Sequence, residues 1–201
     1  SYVDPPPLEL DQSALIRSQQ PRWVVNLSMH GAAQSQALMD LVHQGGGRVF
    51  LDCQYTTARL EDPGLAETLR RVDIFAPNLS EAAQLTGETQ PLAALARLAG
   101  LCPLVGLKGG ADGAYARQGQ QVWHSPALPV AVVDTTGAGD SFNAGFLAGL
   151  LAGEPIPTCL QYGNICGGTS TTRHGGSTSV QTLAEVRQIA SKPPYSPSPF
   201  G

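Results

Sequence analysis

Short apolar runs alternate with longer stretches of helical spacing along the first half of the chain. Val24–Leu27, Val49–Asp52, Val72–Ala76 and Pro103–Leu107 are compact runs bounded by turn residues, the pattern of strands buried on both faces. Between them lie Ala33–His43, Leu65–Arg71, a segment that opens at Asn78, and Pro91–Ala99. Their apolar residues recur three and four positions apart, as on one side of a helix. In the first of these helices the buried side is expected at Ala33, Ala37, Leu38, Leu41 and Val42, with the glycines at 45, 46 and 47 ending it. Strands that alternate with helices predict a parallel sheet built from strand, helix, strand units.

The second half changes rhythm. Lys108 to Gly113 is a glycine-rich turn that leads into Ala114–Arg117 and its return strand Gln121–His124, a β-hairpin. The core is then expected to run through Val130, Val132 and Val133. A helix follows, in which Phe142, Phe146 and Leu150 recur at intervals of four, with Leu147 and Leu151 beside them. Ala144, Gly145, Ala148 and Gly149 leave another side of it thin enough for close packing. Ile156–Thr169 and Thr182–Ala190 are two further helices, and Ser13–Gln20 is a short one before Pro21. The expected division is a connector with a short helix over 1–21, an α/β domain over 22–190, and a proline-rich disordered tail over 191–201.

Composition narrows the partners. A 42% hydrophobic content over 201 residues can fill one sizeable core. The formal net charge of −4, with no Lys/Arg cluster, argues against nucleic acid and acidic membrane surfaces. Four cysteines stand apart without metal-ligand spacing, which points to a reducing, cytoplasmic setting. The longest apolar stretch, Phe142–Ala152, is too short to cross a bilayer and is broken by Asn143 and glycines.

The chemistry gathers at Asp134 to Asp140. Gly137 and Gly139 flank Ala138 directly before the Phe142 helix, so unpaired N–H groups of residues 137 to 140 and the positive end of the helix dipole form a place for an anion. Asp140 would repel that anion, which suggests a base that takes a proton there; the alternative is an ordinary helix cap. Asn78 and Glu81 fit an N-cap and its capping-box partner at the next helix start. Asp52 ends a strand where open α/β sheets place ligands, and it reads equally as a loop aspartate bonded to its own backbone. His30 is equally ambiguous. The sequence has no Walker-type phosphate loop, no dinucleotide glycine fingerprint, no zinc-protease motif and no nucleophile elbow.

The run Asp134-Thr-Thr-Gly-Ala-Gly-Asp140-Ser-Phe-Asn-Ala-Gly-Phe146 resembles the C-terminal signature of the ribokinase-like, or PfkB, carbohydrate kinases. Ala76-Pro-Asn-Leu-Ser-Glu-Ala82 is similar to that family's Asn-x-x-Glu motif. The resemblance covers about Val24 to Val180 and implies a three-layer, Rossmann-like fold: a mostly parallel central sheet with helices on both faces. It also implies Asp140 as general base and Gly137, Ala138 and Gly139 as the anion hole for the transferred phosphoryl group. Asn78 and Glu81 would support Mg²⁺ and phosphate, with Glu81 acting through water. Gly110 and Gly113 would lie along the nucleotide phosphates, Lys108 within reach of them, and Asn164 near adenine. Asp134 and Thr136, with Ser179 from the Arg173–Ser179 loop, would enclose a monovalent cation, K⁺ in many members.

An ATP- and Mg²⁺-dependent sugar kinase acting on a primary hydroxyl of a sugar or sugar acid is therefore the expected function. A nucleoside kinase of the same fold and a noncatalytic nucleotide-binding module are the alternatives. The sugar-binding aspartates, Gly-Gly-Asn signature and β-sheet lid of the family find no match here, so the chain is expected to be the C-terminal portion of a longer kinase, one that forms a homodimer.

Overall fold

The structure, a computed structural model, describes residues 11–25, 32–53, 56–176, 181–192 and 198–199. Among the described residues seven strands form one sheet in chain order: β1 (Trp23–Val25), β2 (Arg48–Asp52), β3 (Ile74–Ala76), β4 (Leu104–Lys108), β5 (Ala114–Gln118), β6 (Gln121–Ser125) and β7 (Ser198–Pro199). β1 to β4 run parallel, and β5, β6 and β7 add antiparallel strands beyond β4. The helices are α1 (Gln12–Gln19), α2 (Ala32–Gln44), α3 (Leu65–Leu69), α4 (Leu79–Thr86), α5 (Pro91–Leu98), α6 (Ala138–Leu151), α7 (Ile156–Ser170) and α8 (Leu183–Ala190).

Strand parity sorts the core into two halves. Val49, Leu51, Phe75, Val105 and Leu107 point to one face of the sheet and pack with α1 to α5. Their alternates Phe50, Ile74, Ala76 and Leu104 point to the other, against Phe142 and Phe146 of α6 and Cys159 and Leu160 of α7. The result is the three-layer α/β architecture that the family resemblance implies, with the sheet buried on both sides. Phe146 is 1% exposed and lies 6.5 Å from the Phe50 ring and 6.1 Å from that of Phe142. A buried aromatic of this kind contributes about 1.5–3 kcal/mol through area alone.

Several details depart from the sequence reading. The buried stripe of α2 is Ser35, Leu38, Met39 and Val42, whereas Ala33 and Ala37 face solvent. The stripe is turned because Met39 and Val42 reach farther into the core than alanine can. Val132 and Val133, expected in the core, are 61% and 50% exposed, because the chain from residue 126 to 136 leaves the sheet after β6 and forms no further strand. Leu151, placed beside the apolar stripe of this helix, is 57% exposed at the last turn of α6. Ser198 and Pro199, placed in a disordered tail, instead pair with His124 and Trp123. The first ten residues, the end of the Val24–Leu27 run and His30 lie outside the described residues.

α6 and α7 approach so closely that glycine is required between them. A Cβ on Gly145 would stand 2.5 Å from the Tyr162 carbonyl oxygen, and one on Gly163 2.7 Å from the Phe142 ring. Alanine at 145 would gain about 1 kcal/mol of helix propensity. Overpacking against a backbone carbonyl costs about 1–3 kcal/mol. Gly145→Ala is therefore expected to lower the midpoint of a urea unfolding curve; a raised midpoint would disprove the close approach.

Candidate active site

The parallel strands end in one cleft of about 670 Å³, walled on the other side by the first turn of α6 and by α7. Asp52, Asn78, Glu81, Lys108, Gly110, Gly113, Gly137, Ala138, Gly139, Asp140 and Asn164 all line it. Residues more than a hundred positions apart in the chain are thus collected at the sheet's carboxyl edge, where open α/β folds place their ligands.

Gly137 is the N-cap of α6 at φ 72°, and a Cβ there would meet Gly176 Cα at 2.8 Å. Both constraints select glycine. The Ala138 amide is not free for an anion, since it donates to Thr135 O at 3.2 Å. Among the described residues the N–H groups of Gly137, Gly139 and Asp140 have no backbone acceptor; the first α6 bond is Ser141 N–H to Gly137 O at 2.9 Å. The loop thus offers these three amides, together with the positive end of the helix dipole.

Asp140 is the third residue of α6 rather than its cap, and it is exposed to the cleft. No hydrogen bond holds its carboxylate among the described residues. The capping alternative for Asp140 therefore does not apply.

Asn78 and Glu81 make the full capping box of α4. Glu81 N–H donates to Asn78 Oδ1 at 2.9 Å, and Asn78 N–H donates to Glu81 Oε2 at 2.8 Å. Burial pushes the Glu81 carboxyl up, opposed by the Asn78 N–H and by Lys108. Lys108 N–H donates to Pro77 O at 2.9 Å, which fastens the end of β4 beside this helix start. Next to Lys108 the chain turns through Gly110 at φ 60° and Gly113 at φ 84°, and a Cβ on Gly113 would strike Ser125 O.

Asn164 is buried and uses its amide nitrogen on backbone: it donates to Ser125 O at 2.8 Å and Pro126 O at 3.0 Å. It thereby pins the strand end that leads into the cleft's apolar lip of Ala127, Leu128, Pro129, Val130 and Val132. Asp134 ties the signature loop to the turn that follows α7. Its Oδ1 accepts from Thr136 N–H at 2.9 Å and its Oδ2 from Gly175 N–H at 3.0 Å. Those bonds, the Gly175 amide first, hold the carboxyl down to about 2. Ser179 lies outside the described residues, so its place beside Asp134 and Thr136 is not described.

Two residues emerge that the sequence did not single out as a pair. Asp52 Oδ1 accepts from Lys108 Nζ at 2.6 Å, and Asp52 Oδ2 accepts from Asn143 Nδ2 at 2.6 Å. Their side chains are mostly withdrawn from solvent: Lys108 is 11% and Asp52 13% exposed. The available signal was parity. Asp52 shares a sheet face with Phe50, Lys108 with Leu104, and Asn143 follows Phe142 on the helix that covers that face. Cys53 also lines the cleft, and burial raises its thiol far above the ordinary range, which leaves it protonated.

The model of the pfkB family carbohydrate kinases matches residues 30–183. A fructokinase of Klebsiella pneumoniae is 34% identical over 157 residues, which cover 72% of this chain and 51% of that protein. The 2-dehydro-3-deoxygalactonokinase of Haloferax volcanii is 41% identical over 80 residues, 40% of this chain and 25% of its own. Arabidopsis thaliana ribokinase, solved with ribose and ATP, superposes with a TM-score of 0.77 at 25% identity, over 90% of this chain and 59% of its own. The chain spans about half or less of the length of the curated relatives it matches.

Asp134 gives the loop a pH signature. Its folded-state value lies below that of an unfolded aspartate, about 3.9, so its stabilising effect is fully present above that value. The effect is lost as pH falls through about 2. In an NMR titration the Thr136 and Gly175 amide protons are expected to shift together with a midpoint near 2; a midpoint at the ordinary aspartate value would remove the tether.

Proposed function

The chain belongs to the pfkB family of carbohydrate kinases, and from that premise we propose that it transfers the γ-phosphoryl group of ATP to a primary hydroxyl of a sugar or sugar acid, with Asp140 as the base. The observation that carries this reading is the state of Asp140. Among the described residues it is a carboxylate without a hydrogen-bond partner, in the first helical turn, beside three amides that have no backbone acceptor.

The roles follow from that placement. Asp140 takes the proton of the acceptor hydroxyl as its oxygen attacks the γ-phosphorus, and the bond to the β-phosphate oxygen breaks to release ADP. The Gly137, Gly139 and Asp140 amides receive the charge that develops on the equatorial oxygens, with Ala138 shaping the turn. Gly110 and Gly113 keep the β4–β5 turn free of side chains, so that its backbone can run along the phosphates. The apolar lip from Ala127 to Val132, held in place by Asn164, suits the flat face of an adenine.

Mg²⁺ fits the donor set in one particular way. Asp52, Glu81 and Asp140 set three carboxylates against the single ammonium of Lys108 along the cleft, so the side chains alone do not neutralise a polyphosphate. Among the described residues no group of three or more His, Cys, Asp or Glu could cage a metal ion. That matches a cation held by phosphate oxygens and water with one protein carboxylate nearby. Glu81 would be that carboxylate, through Oε1 and water, since Oε2 is taken by the Asn78 amide. The ion's contribution when bound is to draw negative charge from the β- and γ-phosphate oxygens. A monovalent cation such as K⁺ would be held by Asp134, kept ionised by its two amide donors, together with Thr136 and Ser179.

Asp140→Asn tests the assignment. Turnover with a panel of ketoses, aldoses and sugar acids is expected to fall by about 10² to 10⁴. Nucleotide affinity should stay within about threefold, because the amides remain. Retention of full turnover by the variant would remove Asp140 from the reaction.

A further inference from the structure

Lys108 is the only cationic side chain among the described residues that line the cleft. A Cβ on Gly139 would lie 3.5 Å from Lys108 Nζ, so the ammonium abuts the very loop that carries the unpaired amides. A lysine on its own would not stay there, since its four-carbon stem is flexible and its charge is strongly hydrated.

What holds it is a closed ring of side chains from three elements. Asp52 at the end of β2 takes the ammonium on Oδ1 at 2.6 Å. Its other oxygen takes the Asn143 amide at 2.6 Å, and Asn143 Oδ1 completes the ring with a long contact of 3.5 Å to Lys108 Nζ. Asn143 is 5% exposed and follows Asp140 by three positions on α6, so the two share one side of the helix. The carboxylate therefore fixes two things at once: the direction of the ammonium and the setting of the helical turn that bears Asp140.

We propose that Asp52 is a positioning residue for phosphoryl transfer: braced by Asn143, it aims Lys108 at the γ-phosphate seated against the Gly137–Gly139 loop. This rests on the nucleotide-binding part of the reading above. A lysine aimed in this way distinguishes ATP from ADP, because only ATP places phosphate oxygens beside the loop. Removal of the charge at 52 leaves the backbone amides and the Gly110–Gly113 turn intact, so the diphosphate portion keeps its contacts.

The test is calorimetric binding of the Mg²⁺ complexes of ADP and of the non-hydrolysable analogue AMP-PNP to the full chain, which needs no turnover. In Asp52→Asn the preference for AMP-PNP over ADP is expected to fall by about tenfold while ADP affinity stays within about threefold. In a Lys108→Met background the same change is expected to cost nothing further, the mark of a residue that acts through another. Equal weakening of both nucleotides, or losses that simply add, would overturn the positioning role. Should Asp52→Asn lose its cooperative melt, Asn143→Ala keeps both charges and removes only the brace. It is expected to lower the same preference by about threefold, and an unchanged preference overturns the proposal. Failure of the unsubstituted chain to bind either nucleotide would instead defeat the kinase reading, and the role of Asp52 with it.

Discussion

The structure depends on how closely α6 can lie against α7. Helices whose facing side chains are of ordinary size pack with axes 8–10 Å apart or so, and here glycines on both partners remove the side chains that would hold them off. Gly145 meets the Tyr162 carbonyl, Gly149 meets Cys159, Gly163 meets the Phe142 ring, and Gly167 meets the Ala138 carbonyl. The last contact is the consequential one. It seats the first turn of α6 directly on α7, and Gly137 against Gly176 seats the preceding loop on the turn that follows. A helix start held only by its own loop would fray; this one is fixed along its whole length and can present bare amides without losing its geometry. Packing and chemistry are in this sense one constraint.

The sequence disclosed most of this because strong periodicities and long motifs are local. Apolar runs marked β2, β3 and β4, and the capping box of α4 was readable from Asn78 and Glu81 alone. The signature loop stood out for its glycines. What escaped was set by distance or by competition between neighbours. Asp52, Lys108 and Asn143 are 56 and 91 positions apart in their pairings, and nothing local says that they meet. In α2 the pattern allowed more than one buried face, and the sheet selected the one with Met39 over the one with Ala33 and Ala37. Val132 and Val133 look like core residues because they are apolar and β-branched, but they lie after the last residue of β6, outside the sheet, and are exposed. The residues of the site were thus legible as types, and the ring beneath it was not.

Several residues of the cleft are also fastened into the architecture. Asn78 and Glu81 satisfy orphan amides of α4 and also line the cleft. Asn164 lines the cleft and uses its amide nitrogen on the carbonyls of Ser125 and Pro126. Asp134 joins two loops through backbone amides. Each of these side chains is immobilised by the bonds that a purely architectural account would assign to it, and immobility is also what a binding site needs from its walls.

The carboxylates of the cleft can be ordered by the same logic. Asp52 has a partner on each oxygen, from an ammonium and from an amide, and sits beneath the surface. Glu81 has one oxygen committed to backbone and is half-buried, which raises its carboxyl and makes its charge dependent on nearby cations. Asp140 has no hydrogen-bond partner among the described residues and faces the opening. Lone pairs that are already shared are poor proton acceptors, because taking a proton would break the bonds that hold them. A group meant to receive a proton must keep its lone pairs unshared, and a group meant to hold geometry must not. By that criterion the roles proposed for the three are consistent with their surroundings: Asp52 for position, Glu81 for a cation, and Asp140 for the proton.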